Sequence, residues 1–120
     1  MKVLIVDDSK AMRMIVKRTL GKTDVGKCEV VEAENGAEGL AKAKSESPDL
    51  VLCDWNMPEM AGIEFLKLLR QAGYHVPFGF ITSESGQDIR NLALESGAQF
   101  IITKPFTADS LNAAMTPCLV

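Results

Sequence analysis

Five residues with chemically active side chains stand at or directly after the carboxyl ends of short apolar runs: Asp7, Asp8, Asp54, Thr82 and Lys104. Clustered carboxylates repel one another at neutral pH and need a counter-charge. Oxygen ligands in an open cluster favour Mg2+, which keeps several waters and completes its octahedron with phosphate oxygens. A divalent cation, a lysine and a hydroxyl together suit a tetrahedral dianion. One carboxylate could then attack phosphorus and form an aspartyl phosphate.

These residues must be positioned by the elements around them, and the apolar pattern predicts five strands. The strands are residues 2–6, 28–33, 50–53, 78–82 and 100–103. The first, third and fourth are apolar almost throughout, which is typical of strands covered on both faces of a parallel sheet.

Between and after the strands, apolar residues recur at helical spacing and predict five helices. The stripes lie within residues 12–20, 37–45, 59–72, 89–93 and 111–115. Ser9 and Thr107 are candidate N-caps of the first and fifth helices, and Asp109 lies in the first turn of the fifth. Gly21, Gly73 and Gly97 are candidate stops.

Alternating strands and helices predict an α/β fold with a doubly wound parallel sheet, formed as one domain over residues 1–120. In such a sheet, ligands bind at the carboxyl ends of the strands near the switch point in strand order. We therefore expect Asp7, Asp8, Asp54, Thr82 and Lys104 to converge on one edge.

Composition indicates an ordinary globular domain. Apolar residues make up 47% of the chain, and 13 Lys and Arg are interspersed with 16 Asp and Glu, for a net charge of −3. No basic block suggests direct nucleic-acid binding, and no apolar run suggests membrane insertion. The three cysteines show no metal-ligand spacing and are interpreted as reduced thiols, which favours a cytoplasmic location.

Taken together, the motifs are similar to those of one known family. They are Val6-Asp7-Asp8-Ser9, Asp54-Trp55-Asn56-Met57-Pro58-Glu59-Met60-Ala61-Gly62, Ile81-Thr82-Ser83-Glu84, Gly97-Ala98 and Lys104-Pro105-Phe106. In this order, the chain resembles the receiver domain of bacterial two-component response regulators, especially the single-domain, CheY-like chemotaxis type. The resemblance implies a flavodoxin-like sheet in the strand order 2-1-3-4-5 with five helices.

The resemblance also implies a role for each matching residue. Asp54 would be the phosphoacceptor, which takes its phosphoryl group from a phosphohistidine of a histidine kinase. The Mg2+ ligands would be Asp7, Asp8, Asp54 and the backbone carbonyl of Asn56. Thr82 would be the switch hydroxyl, and Lys104 would pair with the phosphoryl group. The bond between Lys104 and Pro105 is expected to be cis.

Further positions in this family tune the lifetime and output of the phosphorylated state. Asn56 and Glu84 occupy the two tuning positions, and both polar side chains could orient an attacking water, so we predict fast self-dephosphorylation. Ser83 lies between the switch residue and the second tuning residue. Ile101 stands where the family usually has Tyr or Phe. Either an aliphatic side chain runs the inward rotamer switch, or that switch is weak.

Simpler interpretations exist for several of these residues. Asp7 and Asp8 could cap the following helix. Asp54 could be a turn residue, Thr82 and Ser83 could cap the fourth helix, and Lys104 could be an exposed turn lysine.

Three functions are consistent with the sequence. The first is a stand-alone phosphoacceptor, not an enzyme, whose target protein contacts the fourth helix, fifth strand and fifth helix at residues 87–119. The second is the receiver portion of a longer, DNA-binding regulator. The third is a metal-dependent phosphatase. It is disfavoured because Asn56 stands where such enzymes commonly carry a general-acid aspartate.

Overall fold

A computed structural model of the protein describes residues 1–26, 28–84 and 86–119. The strands are β1 (Lys2–Val6), β2 (Glu29–Ala33), β3 (Leu50–Asp54), β4 (Phe78–Thr82) and β5 (Phe100–Thr103). The helices are α1 (Lys10–Leu20), α2 (Gly36–Glu46), α3 (Gly62–Gln71), α4 (Gln87–Glu95) and α5 (Ala108–Met115), and a short 3-10 helix covers Thr116–Cys118. Strands and helices alternate in the predicted order.

All strand pairs are parallel, and the sheet order is β2-β1-β3-β4-β5. The predicted α/β fold with strand order 2-1-3-4-5 is therefore confirmed. The order reverses between β1 and β3, whose register pairs Val6 with Cys53. The residues that follow this pair, Asp7 and Asp54, consequently lie side by side at the switch point where such folds bind ligands.

Each face of the sheet packs against its own set of helices. Successive residues of β1 point to opposite faces, so that Leu4 and Val6 pack with α2, α3 and α4, whereas Val3 and Ile5 pack with α1 and α5. All four side chains are almost fully buried. This two-sided burial fixes the register of the central strands and hence the position of the residues at their carboxyl ends.

Three predicted boundaries differ from the structure. Asp54 is the last residue of β3, not the residue after it, because the strand continues in register with Ile81 of β4. The second strand begins at Glu29, so Cys28 precedes it. The third helix begins at Gly62 and not near residue 59, since Glu59 has a left-handed backbone with φ of 69° that no α-helix accommodates.

Helix caps hold the loops that leave the sheet edge. The Ser9 side chain accepts a hydrogen bond from the Met12 amide, and Thr107 forms a reciprocal capping box with Ser110. Both predicted N-caps are confirmed. Among the described residues, no helix is long and apolar enough to cross a membrane.

Candidate functional site at the carboxyl edge of the sheet

Three carboxylates meet where β1 and β3 end. Asp7, Asp8 and Asp54 each offer an oxygen, and these oxygens lie within 4.8 Å of one another. The sequence places the three residues at strand ends, and the structure brings them to one point. An all-oxygen set of this kind suits a hard divalent cation such as Mg2+.

Asp7 is the most constrained of the three. Asp7 is only 5% exposed, and one of its carboxylate oxygens accepts a hydrogen bond from the Ser9 amide at 2.9 Å. Burial, reinforced by the neighbouring charge of Asp54, raises the pKa of the Asp7 carboxyl, although the Ser9 bond opposes the rise. Ser9, and neither Asp7 nor Asp8, provides the side-chain cap of α1, so the capping interpretation of the two aspartates is wrong.

Lys104 supplies the positive charge of the cluster. Its ammonium nitrogen lies 3.5 Å from one Asp54 oxygen and 3.8 Å from one Asp7 oxygen. The interpretation of Lys104 as an exposed turn lysine is therefore wrong. Burial raises the pKa of the Asp54 carboxyl, and the attraction of Lys104 only partly opposes that rise. The backbone amide of Lys104 donates to the Thr82 carbonyl at 2.7 Å, and the Lys104–Pro105 bond is cis, as expected.

Thr82 and its neighbours form the wall of the site above β4. Thr82 is fully buried, and its hydroxyl accepts a hydrogen bond from the Glu84 amide at 2.9 Å. The Glu84 carboxylate accepts a second bond, from the Asn56 side chain, at 3.2 Å. The two predicted tuning residues are thus in direct contact. Ser83 is exposed, and the N-cap of α4 is Gly86, so neither Thr82 nor Ser83 caps that helix.

The loop between β3 and α3 surrounds Asp54 closely. Among the described residues, nothing donates a hydrogen bond to the Asn56 carbonyl. The amide of Gly62 donates to the Trp55 carbonyl at 3.0 Å, and a Cβ at Gly62 would lie 2.2 Å from the Asp54 carbonyl oxygen. Only glycine fits here. The sequence shows this glycine in its motif but gives no sign of the close backbone approach.

Ile101 is 8% exposed and belongs to the core layer that contains Phe80 and Ile89. It also borders a cavity of about 340 Å3 between β5 and α4, which Glu84, Arg90 and Thr103 help to line. The structure therefore holds an aliphatic side chain, turned inward, at the position where the resemblance leads one to expect an aromatic ring.

Arg13 lies near the site, although no sequence motif points to it. Its guanidinium donates one hydrogen bond to the Asp7 carbonyl at 2.6 Å and another to the Glu32 carboxylate at 2.9 Å. The arginine lies one helical turn beyond the paired aspartates, and no motif marks that spacing.

Comparison with known proteins agrees with this geometry. Residues 3–116 match the response regulator receiver domain, so the chain belongs to that family. It is 39% identical to the chemotaxis protein CheY homolog of Campylobacter jejuni, with 99% of this chain and 92% of that protein covered. It is 41% identical to the chemotaxis protein CheY of Bacillus subtilis, with 98% and 97% covered.

Solved structures show the same fold. Chemotaxis protein CheY4 of Vibrio cholerae superposes with a TM-score of 0.86 at 37% identity, with 98% of both chains covered. The receiver domain of the putative response regulator NarL from Mycobacterium tuberculosis superposes with a TM-score of 0.87 at 27% identity, with 98% of this chain and 94% of that chain covered. The chain is a two-component response regulator receiver similar to chemotaxis proteins of the CheY type.

Proposed function

We propose that Asp54 is the phosphoacceptor of this receiver and that Mg2+ binds between Asp7, Asp8, Asp54 and the Asn56 carbonyl. The proposal is supported mainly by the geometry of the cluster. Oxygens of Asp7, Asp8 and Asp54 lie within 4.8 Å of one another, and the Asp54 carboxylate lies 3.5 Å from the Lys104 ammonium. Such a cluster is unfavourable without a cation and becomes suitable for a phosphoryl group once a cation is bound.

The proposed reaction is a phosphoryl transfer between two side chains. An Asp54 oxygen attacks the phosphorus of a phosphohistidine on a histidine kinase. The P–N bond breaks, and its electron pair remains on the imidazole, which takes up a proton. Mg2+ held by Asp7, Asp8, Asp54 and the Asn56 carbonyl would supply the charge neutralisation for the transferring group, and Lys104 would exchange its carboxylate partner for a phosphoryl oxygen. The protein assists its own phosphorylation but is not an enzyme acting on a separate substrate.

The switch proposed for Thr82 begins from the contacts in the structure. Its hydroxyl now accepts from the Glu84 amide, and a turn toward a phosphoryl oxygen would release that amide. The released segment leads directly into α4, whose N-cap Gly86 provides no side-chain hydrogen bond. We infer that the target protein contacts α4, β5 and α5, and that the buried Ile101 and the exposed Pro105 lie on the path to this face.

The identity of the pathway rests on the relatives. The similar proteins from Campylobacter jejuni and Bacillus subtilis are chemotaxis proteins, which supports a stand-alone, chemotaxis-type regulator. The partners are then a histidine kinase and a downstream target protein, without direct contact to nucleic acid. The cytoplasmic location stays a prediction.

The test is beryllofluoride or acetyl phosphate treatment in the presence of Mg2+. We expect acetyl phosphate to give a mass adduct of one phosphoryl group on the wild type and none on Asp54→Asn. Asp49→Asn is the matched control, because Asp49 is an exposed aspartate at the amino end of β3. The fluorescence of Trp55, the only tryptophan, should report the same change. An adduct that survives in Asp54→Asn would refute the assignment, and turnover of a generic phosphomonoester would favour the phosphatase.

Phosphorylated Asp54 should lose its phosphoryl group quickly without a phosphatase. Asn56 and Glu84 are polar, exposed and hydrogen-bonded to each other at the mouth of the site, where they can orient a water. We expect Glu84→Leu, which removes the carboxylate but keeps most of the bulk, to slow hydrolysis by about tenfold, as measured by phosphate release after removal of the donor. A phosphoprotein that persists for hours in the wild type would contradict this prediction.

A further inference from the structure

Asp8 differs from the other two carboxylates of the cluster. Asp7 is held by Ser9 and Asp54 by Lys104, but within the described parts of the chain the Asp8 carboxylate accepts no hydrogen bond and forms no ion pair. It is also the exposed member of the three. No side-chain contact therefore holds its direction, and the direction of its Cα–Cβ bond depends on the backbone, above all on the peptide unit that joins Asp7 to Asp8.

Arg13 holds that peptide unit. Its guanidinium nitrogen Nη1 donates to the Asp7 carbonyl at 2.6 Å, while Nε donates to the Glu32 carboxylate at 2.9 Å. On the other side, the Asp7 amide donates to the Ala33 carbonyl at 3.1 Å. Because the peptide unit is planar, fixing the Asp7 carbonyl also fixes the orientation of the bond that leads into Asp8.

The guanidinium is itself well fixed. The Arg13 side chain is only 12% exposed, and its two acceptors come from the carboxyl end of β1 and from β2. A planar fork with several donors can bridge two acceptors in this way, whereas a lysine ammonium on a flexible stem cannot do so with the same geometry. Arg13 thus connects the end of β1 to its neighbouring strand through the Asp7 carbonyl and the Glu32 carboxylate.

We propose that Arg13 is a positioning residue for the Mg2+ site: it fixes the peptide between Asp7 and Asp8 and thereby aims the unsupported Asp8 carboxylate at the cation. This inference rests on the proposed function of the aspartate cluster. Residues that orient metal ligands without binding the metal commonly change metal affinity by about 10- to 100-fold when they are replaced.

The experiment is isothermal titration calorimetry with MgCl2, checked by Trp55 fluorescence, on purified variants of the 120-residue chain. We expect Arg13→Gln to raise the Mg2+ dissociation constant by about tenfold. Arg13→Lys keeps the positive charge but loses the planar guanidinium that bridges two acceptors. It should bind Mg2+ at least about fivefold more weakly than the wild type. Arg18→Gln is the matched control on the same helix, since Arg18 is exposed, and it should bind Mg2+ as the wild type does.

A second route avoids any effect of Arg13 on folding. Glu32→Ala removes the second anchor of the guanidinium while leaving Arg13 and all three aspartates in place, and it should weaken Mg2+ binding by about threefold. Wild-type affinity in both Arg13→Gln and Glu32→Ala would overturn the inference, as would full recovery in Arg13→Lys, because charge alone would then suffice. Absence of Mg2+ binding by the wild type would instead overturn the proposed function itself.

Discussion

The two ends of the sheet differ in whether their carboxylates have partners within the described chain. At the carboxyl end, one lysine is in contact with two of three clustered aspartates, and the third has no partner among the described residues. At the amino end, the Lys2 ammonium lies 3.2 Å from Glu46 and 3.8 Å from Glu29, and the Lys2 amide donates to Asp49. Each of these three amino-end carboxylates has a partner within the chain and supports the fold, whereas Asp8 at the carboxyl end has none among the described residues and can bind a cation from outside.

A second cation strengthens the amino end. Arg70, near the end of α3, donates to the Tyr74 carbonyl at 2.9 Å and to the Gly97 carbonyl at 2.7 Å. The side-chain oxygen of Gln99 accepts a hydrogen bond from the Phe78 amide at 2.6 Å. The chain thus ties the starts of β4 and β5 together with satisfied groups. The comparison predicts that variants at the amino end change stability alone, whereas variants at the carboxyl end change stability and Mg2+ binding together.

The largest effect is expected from Gly62→Ala at the carboxyl end. A Cβ would lie 2.2 Å from the Asp54 carbonyl oxygen, and backbone atoms cannot yield as a flexible side chain can. We expect unfolding free energy to fall by about 3 kcal/mol in urea denaturation and Mg2+ binding to weaken, because Asp54 must shift. Gly21→Ala is the control. The φ of Gly21 is −63°, and a Cβ added there would have its nearest contact at 3.4 Å. The unfolding free energy of this variant should therefore change by less than about 0.5 kcal/mol. Unchanged stability in Gly62→Ala would show that the close approach can relax.

A smaller effect, confined to stability, is expected from Arg70→Met at the amino end. The substitution keeps most of the apolar stem but leaves the Tyr74 and Gly97 carbonyls without their donor, which should lower the unfolding free energy by about 2 kcal/mol. Arg90→Met is the control, because Arg90 is exposed and its side chain forms no hydrogen bond to a described residue. The Mg2+ dissociation constant should stay within about twofold of the wild type in both. A larger change in Arg70→Met would break the comparison by showing that the two ends are coupled.

The carboxyl end was the more predictable of the two because strand ends are visible in sequence. Apolar runs locate Asp7, Asp8 and Asp54, and the rule for parallel sheets brings them to one edge. The contacts of Arg13 with the Asp7 carbonyl and of Gly62 with the Asp54 carbonyl were not predictable. Both involve backbone carbonyls outside the helix that carries the residue, and the spacing of apolar side chains gives no information on where carbonyls lie. The start of α3 was misplaced for a related reason: the helical pattern continues through Glu59, whose left-handed backbone is imposed by the loop.

The smallest effect concerns the cost of the carboxylate cluster in the metal-free protein. The pKa values of Asp7 and Asp54 are raised above their ordinary value of 3.8, mainly by burial. Because the pKa of each carboxyl is higher in the folded protein than in the unfolded chain, the protonated form stabilises the native state. This stabilisation is complete at pH values below the pKa of the unfolded chain, and it is lost as the pH rises through the pKa of the folded protein. Ionisation of either carboxyl therefore destabilises the metal-free protein.

Asp54→Asn removes one of these ionisations and should become more stable relative to the wild type as pH rises from about 4 toward neutrality without Mg2+. Mg2+ at about ten times its dissociation constant should add about 1.4 kcal/mol to the unfolding free energy of the wild type at neutral pH, and less to Asp54→Asn. Asp49→Asn, at the amino end, should show the same pH dependence and the same stabilisation by Mg2+ as the wild type, as measured by urea denaturation. If Asp54→Asn were the less stable protein at neutral pH without Mg2+, the ion pair with Lys104 would outweigh the cost of burying Asp54. The ionised Asp54 would then not destabilise the metal-free protein.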